Sequence, residues 1–130
     1  MLPYQMIRVP IVGHVAGGKP IELLPVRGYR VIREVEGVRS DQIAVIQLVG
    51  DSLREDGVLD GDWLVYKYGC EARNGQLVVA LTPDGLTVKY FYQMNGGGVL
   101  LKGASPAYDQ YWDTEDVIIQ GVVLRVERDM

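Results

Sequence analysis

Residues 76–92 read QLVVALTPDGLTVKYFY, two apolar and β-branched runs separated by Pro83-Asp84-Gly85. Short runs of this kind, bounded by turn residues, are typical of β-strands, and a Pro-Asp-Gly sequence favours a tight turn between them. We therefore predict a β-hairpin, with strands over 76–82 and 86–92.

The same pattern continues along much of the chain. Four further runs have strand character: 45–50, 63–68, 99–102 and 117–127. Strong turn sequences separate the runs, namely Asp60-Gly61, Asn74-Gly75 and Asn95-Gly96-Gly97-Gly98. Helical periodicity is absent apart from one short turn over 53–56. These features predict an all-β fold of compact coiled sheets, close to a β-barrel, with little helix.

Composition limits the possible functions. A chain of 130 residues with 48% apolar residues suits one domain with a real core. The net charge of −4 argues against direct DNA binding by this chain, because nucleic-acid binding needs a basic surface. No apolar run is long enough for a membrane span, and the first residues lack the pattern of a signal peptide. With a single cysteine, Cys70, these features favour a reducing cytoplasm.

Ser52 is the candidate nucleophile. It follows the apolar run that ends at Val49-Gly50-Asp51, and it precedes a turn-rich stretch over 54–62. Gly-Asp-Ser is most often a simple turn, since serine and aspartate side chains bond to nearby backbone N–H groups. In the functional alternative, Ser52 is a nucleophile at a strand-to-turn junction. There the backbone N–H groups of Ser52 and its neighbour Asp51 would form an oxyanion hole.

Lys89 is the candidate base. A lysine in a strand usually lies on the solvated face. Here alternation places Lys89 on the same face as Thr87 and Phe91, and this face is not clearly the solvent-exposed one. Burial would lower the pKa of Lys89, and the Thr87 hydroxyl would orient the amine. A serine activated by a neutral lysine is a known form of nucleophilic catalysis.

The other reactive residues give weaker evidence of a functional role. His14 has no partner at metal-ligand spacing and is expected to be exposed, and Cys70 is expected to be a partly buried structural thiol. An acidic cluster occupies the turn-rich stretch: Asp51, Glu55, Asp56, Asp60 and Asp62. It lacks the alternating spacing of a calcium loop. We therefore predict neither a metal nor a cofactor.

The first 25 residues differ from the rest. Residues 11–21 are rich in small residues and contain Gly17-Gly18-Lys19-Pro20. They fit either a flexible entry loop or a strand-like peptide that enters a protease groove. We predict one structural domain in two parts, an N-terminal segment over 1–25 with this loop and a body over 26–130.

Three segments, in order, resemble the self-cleaving peptidase domain of LexA-type SOS repressors, UmuD and related phage repressors. Residues 12–20 (VGHVAGGKP) resemble the cleavage-site region, and residues 50–65 (GDSLREDGVLDGDWLV) resemble the nucleophile segment. Residues 74–80 (NGQLVVA) and 87–89 (TVK) resemble the base segment. The resemblance extends over roughly residues 10–126, and its strength lies in the order of the three segments.

The resemblance implies that Ser52 attacks a peptide bond of its own chain while neutral Lys89 takes the serine proton. The implied bond is Gly17–Gly18, with Ala16–Gly17 as the alternative one residue out of register. The family usually has a small side chain, often Ala or Cys, before this bond, so a glycine there implies slow or lost cleavage. An activated recombinase filament on single-stranded DNA is the implied co-protease, favouring a docked cleavage loop.

The resemblance also implies a homodimer. Residues 119–123 (IQGVV) resemble the strand through which such domains pair, which singles out Ile119, Gly121 and Val123. The apolar strand 117–126 would be an aggregation risk as an open edge, and pairing with a second copy across a two-fold axis would cover it.

Three functions stay open at this point. About 10 residues precede the cleavage segment, too few for a helix-turn-helix domain, so we expect either the C-terminal half of a repressor or a short UmuD-like protein. The UmuD-like protein would be an accessory to a translesion DNA polymerase. The third reading is a cleavage-impaired module that keeps the fold for dimerisation or protein binding.

Overall fold

A computed structural model describes residues 3–13 and 26–129. In these ranges nine strands form one sheet: β1 (Met6–Val12), β2 (Val26–Arg33), β3 (Ile43–Gln47), β4 (Trp63–Tyr68), β5 (Leu77–Thr82), β6 (Gly85–Gln93), β7 (Val99–Lys102), β8 (Gln110–Trp112) and β9 (Ile118–Glu127). Helical structure in the same ranges is confined to four single 3-10 turns: Ser40–Gln42, Arg54–Asp56, Pro106–Tyr108 and Thr114–Asp116. The predicted all-β class is confirmed.

The strand order across the sheet is β2-β1-β3-β4-β9-β5-β6-β7-β8. Neighbours β1 and β3 run parallel, and the other neighbouring pairs run antiparallel. The predicted hairpin is β5–β6, in which Thr82 pairs with Gly85. Its loop therefore holds only Pro83 and Asp84, and Gly85 takes the positive φ of 114° that closes so short a turn.

Both faces of β6 are covered by core. Val88 belongs to a cluster with Leu53 and Leu64 on one side, and Phe91 belongs to a second cluster with Leu101 on the other. A third cluster is formed by buried side chains of β1, β2, β3 and β4. Because core covers both faces of the strand around Lys89, this lysine is buried, whereas Tyr92 and Gln93 at the end of the strand are exposed.

Three strands were missing from the prediction. β1 and β2 carry Arg8, Pro10 and Arg30 among their apolar residues, which breaks the strand pattern, and β8 has only three residues. β1 lies between β2 and β3, so the beginning of the chain is built into the same sheet as the rest.

The prediction that strand 117–126 is an open edge is wrong at its centre, Gly121 and Val122. β9 lies inside the sheet, where Gly121 pairs with Tyr68 of β4 on one side and with Val79 of β5 on the other. Ile119 is paired with Ala80 of β5. From Val123 onward, β4 continues on one side, while no strand within the described ranges covers the other.

None of the helical turns in the described ranges has the length and apolar character needed to cross a membrane.

Candidate active site

Ser52 lies at a tight junction between β3 and the 54–56 turn. The chain reverses at Gly50, which has a φ of 97° and donates its N–H to Asp60 Oδ1 at 2.7 Å. The turn is then closed by Arg54 N–H to Asp51 O at 3.1 Å and by Asp56 N–H to Leu53 O at 3.0 Å. Leu53 is fully buried and anchors the turn in the core. Ser52 itself is half-buried, so its hydroxyl lies at the rim of the core.

The far end of the same turn is held by the last residues of the chain. Arg128 donates to both carboxylate oxygens of Asp62, at 2.7 and 2.8 Å, and to Gly57 O at 3.0 Å. Asp62 is 1% exposed and also accepts the Leu59 N–H. The hydrogen bond from Arg128 holds the pKa of Asp62 below its ordinary value. A buried carboxylate is stable here because it is paired on several sides.

The loop after β7 holds the backbone of Ser52. Ala104 N–H donates to Ser52 O at 2.7 Å. Gly103 packs so closely that an added Cβ would lie 3.0 Å from Ser52 O and 2.5 Å from the Tyr108 Cβ. A glycine is therefore needed at position 103 for this approach.

The same loop follows β7, which lies next to β6, the strand that carries Lys89. Lys102, the last residue of β7, pairs with Tyr90, so the next residue, Gly103, leaves the sheet beside Lys89. Continued by one residue, the same register would place Gly103 opposite Lys89. Gly103 thus contacts the Ser52 backbone and directly follows β7, the strand beside β6.

Lys89 is a buried amine. It is only 6% exposed, and its Nζ donates to Thr87 Oγ1 at 2.6 Å. No carboxylate in the described part of the chain forms an ion pair with it. Desolvation lowers the pKa of Lys89, because burial penalises the charged form. A lysine without a counter-charge in this setting holds a larger neutral fraction than a free lysine at the same pH.

The donors of Asp51 and Ser52 have no hydrogen-bond acceptor within the described residues. Among residues 3–13 and 26–129, none accepts a hydrogen bond from the backbone N–H of Asp51 or Ser52, and none bonds the Ser52 hydroxyl. A cleft of about 460 Å³ opens beside them; it is lined by Asp51, Arg54, Glu55, Ala104, Ser105 and Tyr108.

The acidic cluster has structural partners. Asp60 accepts from Gly50, Asp62 pairs with Arg128, and Asp56 accepts from the Tyr90 hydroxyl at 2.8 Å. In the parts of the chain that the structure describes, no three His, Cys, Asp or Glu side chains are arranged to hold a metal ion.

The remaining predicted residues divide into two groups. Cys70 is partly buried and donates from Sγ to Lys67 O at 3.3 Å. The cleavage segment and its neighbour lie outside the described residues: His14, Ala16, Gly17 and Gly18. Sequence reasoning missed Gly103, Ala104, Tyr90 and Arg128, none of which stands in a recognisable motif, because their roles come from contacts between distant segments.

The fold is all-β, with Ser52 at a strand-to-turn junction and a buried lysine on β6. Residues 10–124 match the model of the Peptidase S24-like family, and the chain belongs to this family. The predicted resemblance to the peptidase domain of LexA-type proteins is thereby confirmed.

Two curated relatives give the resemblance its detail. The LexA repressor of Acetivibrio thermocellus is 33% identical over 126 residues, which cover 97% of this chain and 59% of the relative. The LexA repressor of Geobacillus kaustophilus is 36% identical over 91 residues, which cover 68% of this chain and 44% of the relative. The chain thus spans about half the length of these relatives.

Proposed function

We propose that this chain is the self-cleaving serine peptidase domain of a LexA-like transcriptional repressor in the response to DNA damage. Family membership supports the reaction class, and the names of the two relatives support the repressor. The observation that carries the proposal is the burial of Lys89, 6% exposed and without a carboxylate partner among the described residues, on the strand beside Gly103. A stabilising role does not explain such a lysine, since burying an unpaired amine costs free energy.

The chemistry begins with Lys89 in its neutral form. Its Nζ takes the proton from Ser52 Oγ as the oxygen attacks the carbonyl carbon of the scissile peptide bond. The negative charge that forms on the carbonyl oxygen is stabilised by the backbone N–H groups of Asp51 and Ser52. Lys89 then returns the proton to the leaving amine as the C–N bond breaks, and an acyl-serine remains.

Hydrolysis completes the reaction. Lys89 takes a proton from water, the hydroxide attacks the acyl carbon, and the Ser52 oxygen leaves with that proton. Thr87 keeps the amine in place, because the hydrogen bond from Nζ to Thr87 Oγ1 leaves the nitrogen lone pair free to face away from Thr87.

The proposed substrate is the chain itself, at Gly17–Gly18 or at Ala16–Gly17. A tethered substrate replaces a bimolecular encounter with a local docking step, which removes much of the entropic barrier. An activated recombinase filament on single-stranded DNA in the cytoplasm is the proposed stimulating partner.

Intact-mass measurement of the purified chain at about pH 9–10 tests the proposal. Self-cleavage should accelerate with rising pH as Lys89 loses its proton, and fragments ending at Gly17 or Ala16 should accumulate. Ser52→Ala and Lys89→Ala should each reduce the rate by a factor of about 10³ or more.

Lys67→Ala, a change on β4, is the matched control and should cleave like the unaltered chain. A mass that stays constant at pH 10, with recombinase filament present as well as without it, would contradict the proposal.

We also propose that the domain acts as a homodimer. Residues 123–127 of β9 have β4 on one side only within the described ranges, and Leu124 and Val126 are about 40% exposed. A second copy that adds its own strand here would cover both the free backbone groups and these side chains.

A further inference from the structure

The nucleophile turn is bonded directly to β6, the strand of the proposed base, in addition to the Ala104 hydrogen bond from the loop after β7. The Tyr90 hydroxyl donates to Asp56 Oδ2 at 2.8 Å. Tyr90 follows Lys89 directly on β6, and Asp56 ends the 3-10 turn that begins two residues after Ser52. One hydrogen bond therefore joins the neighbour of the proposed base to the turn of the proposed nucleophile.

Asp56 is rigidly connected to Ser52. Its N–H donates to Leu53 O at 3.0 Å, and the Gly57 N–H donates to Arg54 O at 2.9 Å. A displacement of Asp56 is thus transmitted to Leu53, whose backbone is bonded to Ser52. On the strand side, Tyr90 is half-buried against the cluster that contains Leu53.

We propose that Tyr90 and Asp56 form a positioning pair that sets the Ser52 hydroxyl against the Lys89 amine. This inference rests on the proposed function. The pair touches neither the scissile bond nor the reacting atoms, and it acts by fixing the 54–56 turn on β6. When two catalytic groups must be aligned, a misplacement of about 1 Å can lower the reaction rate by about 10²-fold.

The hydrogen bond from Tyr90 to Asp56 should persist at alkaline as well as at neutral pH. Burial, together with the neighbouring Asp56 carboxylate, raises the pKa of Tyr90 to about 12. The hydroxyl therefore keeps its proton, and continues to donate, across the range in which Lys89 becomes neutral.

Tyr90→Phe tests the proposal because it removes the hydroxyl and keeps the ring. The plateau rate of self-cleavage at high pH should fall by about threefold to tenfold, the factor expected for one lost hydrogen bond. The midpoint of the pH–rate profile should stay in place, because Lys89 keeps its surroundings. A purely structural role would lower the melting temperature and leave the plateau rate unchanged.

Tyr92→Phe is the matched control. Tyr92 lies two residues along the same strand, and its hydroxyl has no hydrogen-bond partner among the described residues. Its plateau rate should equal that of the unaltered chain. Amide hydrogen exchange at Asp56 and Gly57 should be faster in Tyr90→Phe than in Tyr92→Phe.

If Tyr90→Phe folds poorly, variants of the exposed Asp56 provide a second test. Asp56→Asn retains an acceptor oxygen and should keep most of the rate, whereas Asp56→Ala should match the loss in Tyr90→Phe. The double variant Asp56→Ala/Tyr90→Phe should be no slower than the slower single variant, since both remove one interaction.

The outcomes separate this proposal from the proposed function. If the unaltered chain cleaves, and Tyr90→Phe and Asp56→Ala each reach the plateau rate of the unaltered chain, the positioning role is overturned and the peptidase stands. Additive losses in the double variant would overturn the pairing. Absence of Ser52-dependent cleavage in the unaltered chain would overturn both.

Discussion

Lys89 is the residue at which stability and the proposed activity conflict. The amine is buried against apolar residues and has one neutral hydrogen-bond partner, Thr87. Burial of this kind favours the uncharged form, which a base needs and a stabilising residue does not. On this argument the folded protein is destabilised at neutral pH by the lysine that the proposed chemistry requires.

Replacement of Lys89 by methionine should therefore stabilise the protein at pH 7. Because the folded pKa of Lys89 is lowered, the unfolded chain binds the extra proton between that pKa and the ordinary lysine value of about 10.4. The free energy of unfolding of the unaltered chain should rise with pH across this window, since unfolding takes up a proton there.

Lys89→Met should remove that rise and add at least about 1 kcal/mol to the free energy of unfolding at pH 7. Urea unfolding at pH 7 and at pH 10 measures both effects, with Lys67→Met as the control. A methionine variant less stable than the unaltered chain at pH 7 would show that Lys89 is not held at an energetic cost.

At the scale of elements, the pairing of β4 with β9 depends on one small residue. Gly121 lies between β4 and β5, and a Cβ added there would lie 2.2 Å from Lys67 O and 2.8 Å from Tyr66 Cδ2. The nearest of these atoms belongs to the backbone of β4, which cannot move without losing sheet hydrogen bonds. The glycine is thus a packing requirement at the centre of the sheet.

Gly121→Ala should cost about 3 kcal/mol or more of unfolding free energy, as overpacking at a rigid contact does. Gly96→Ala is the comparison, because no atom lies within 4 Å of an added Cβ there and the only penalty is its φ of +85°. That penalty is about 1 kcal/mol. Equal melting temperatures for the two variants would contradict the packing argument.

At the scale of the whole molecule, β9 decides how copies of the chain can associate. Gly121 and Val122 have β4 on one side and β5 on the other, whereas residues 118–119 pair only with β5 and residues 123–127 have only β4 beside them within the described ranges. The proposed dimer forms at residues 123–127, and it would extend the sheet across two molecules.

Sedimentation equilibrium at high micromolar concentration should find a dimer. Leu124→Lys should shift the chain to monomer, because it places a charge on the exposed apolar strip. Ile118→Lys is the control; Ile118 is 47% exposed but lies at the opposite end of the strand, where it pairs with Leu81 of β5, so its dimer should persist. A monomer in the unaltered chain would contradict the proposed dimer.

Much of the sheet was predictable because its signals are local. The β5–β6 hairpin follows from two apolar runs around Pro83-Asp84, which specify strands and a turn without reference to the rest of the chain. The three segments around Ser52 and Lys89 pointed to a family by their order. β1 and β2 were missed because their arginine- and proline-containing pattern forms strands only through pairing with each other and with β3.

The amino-acid sequence by itself determined the all-β class, the central hairpin and the identity of the serine and lysine as candidates. The tertiary structure alone decided that Lys89 is shut away from water, that Gly103 packs against the Ser52 backbone, and that Gly121 is enclosed on both sides. Strand and turn preferences belong to neighbouring residues, whereas burial and contact depend on which distant segments the folded chain brings together.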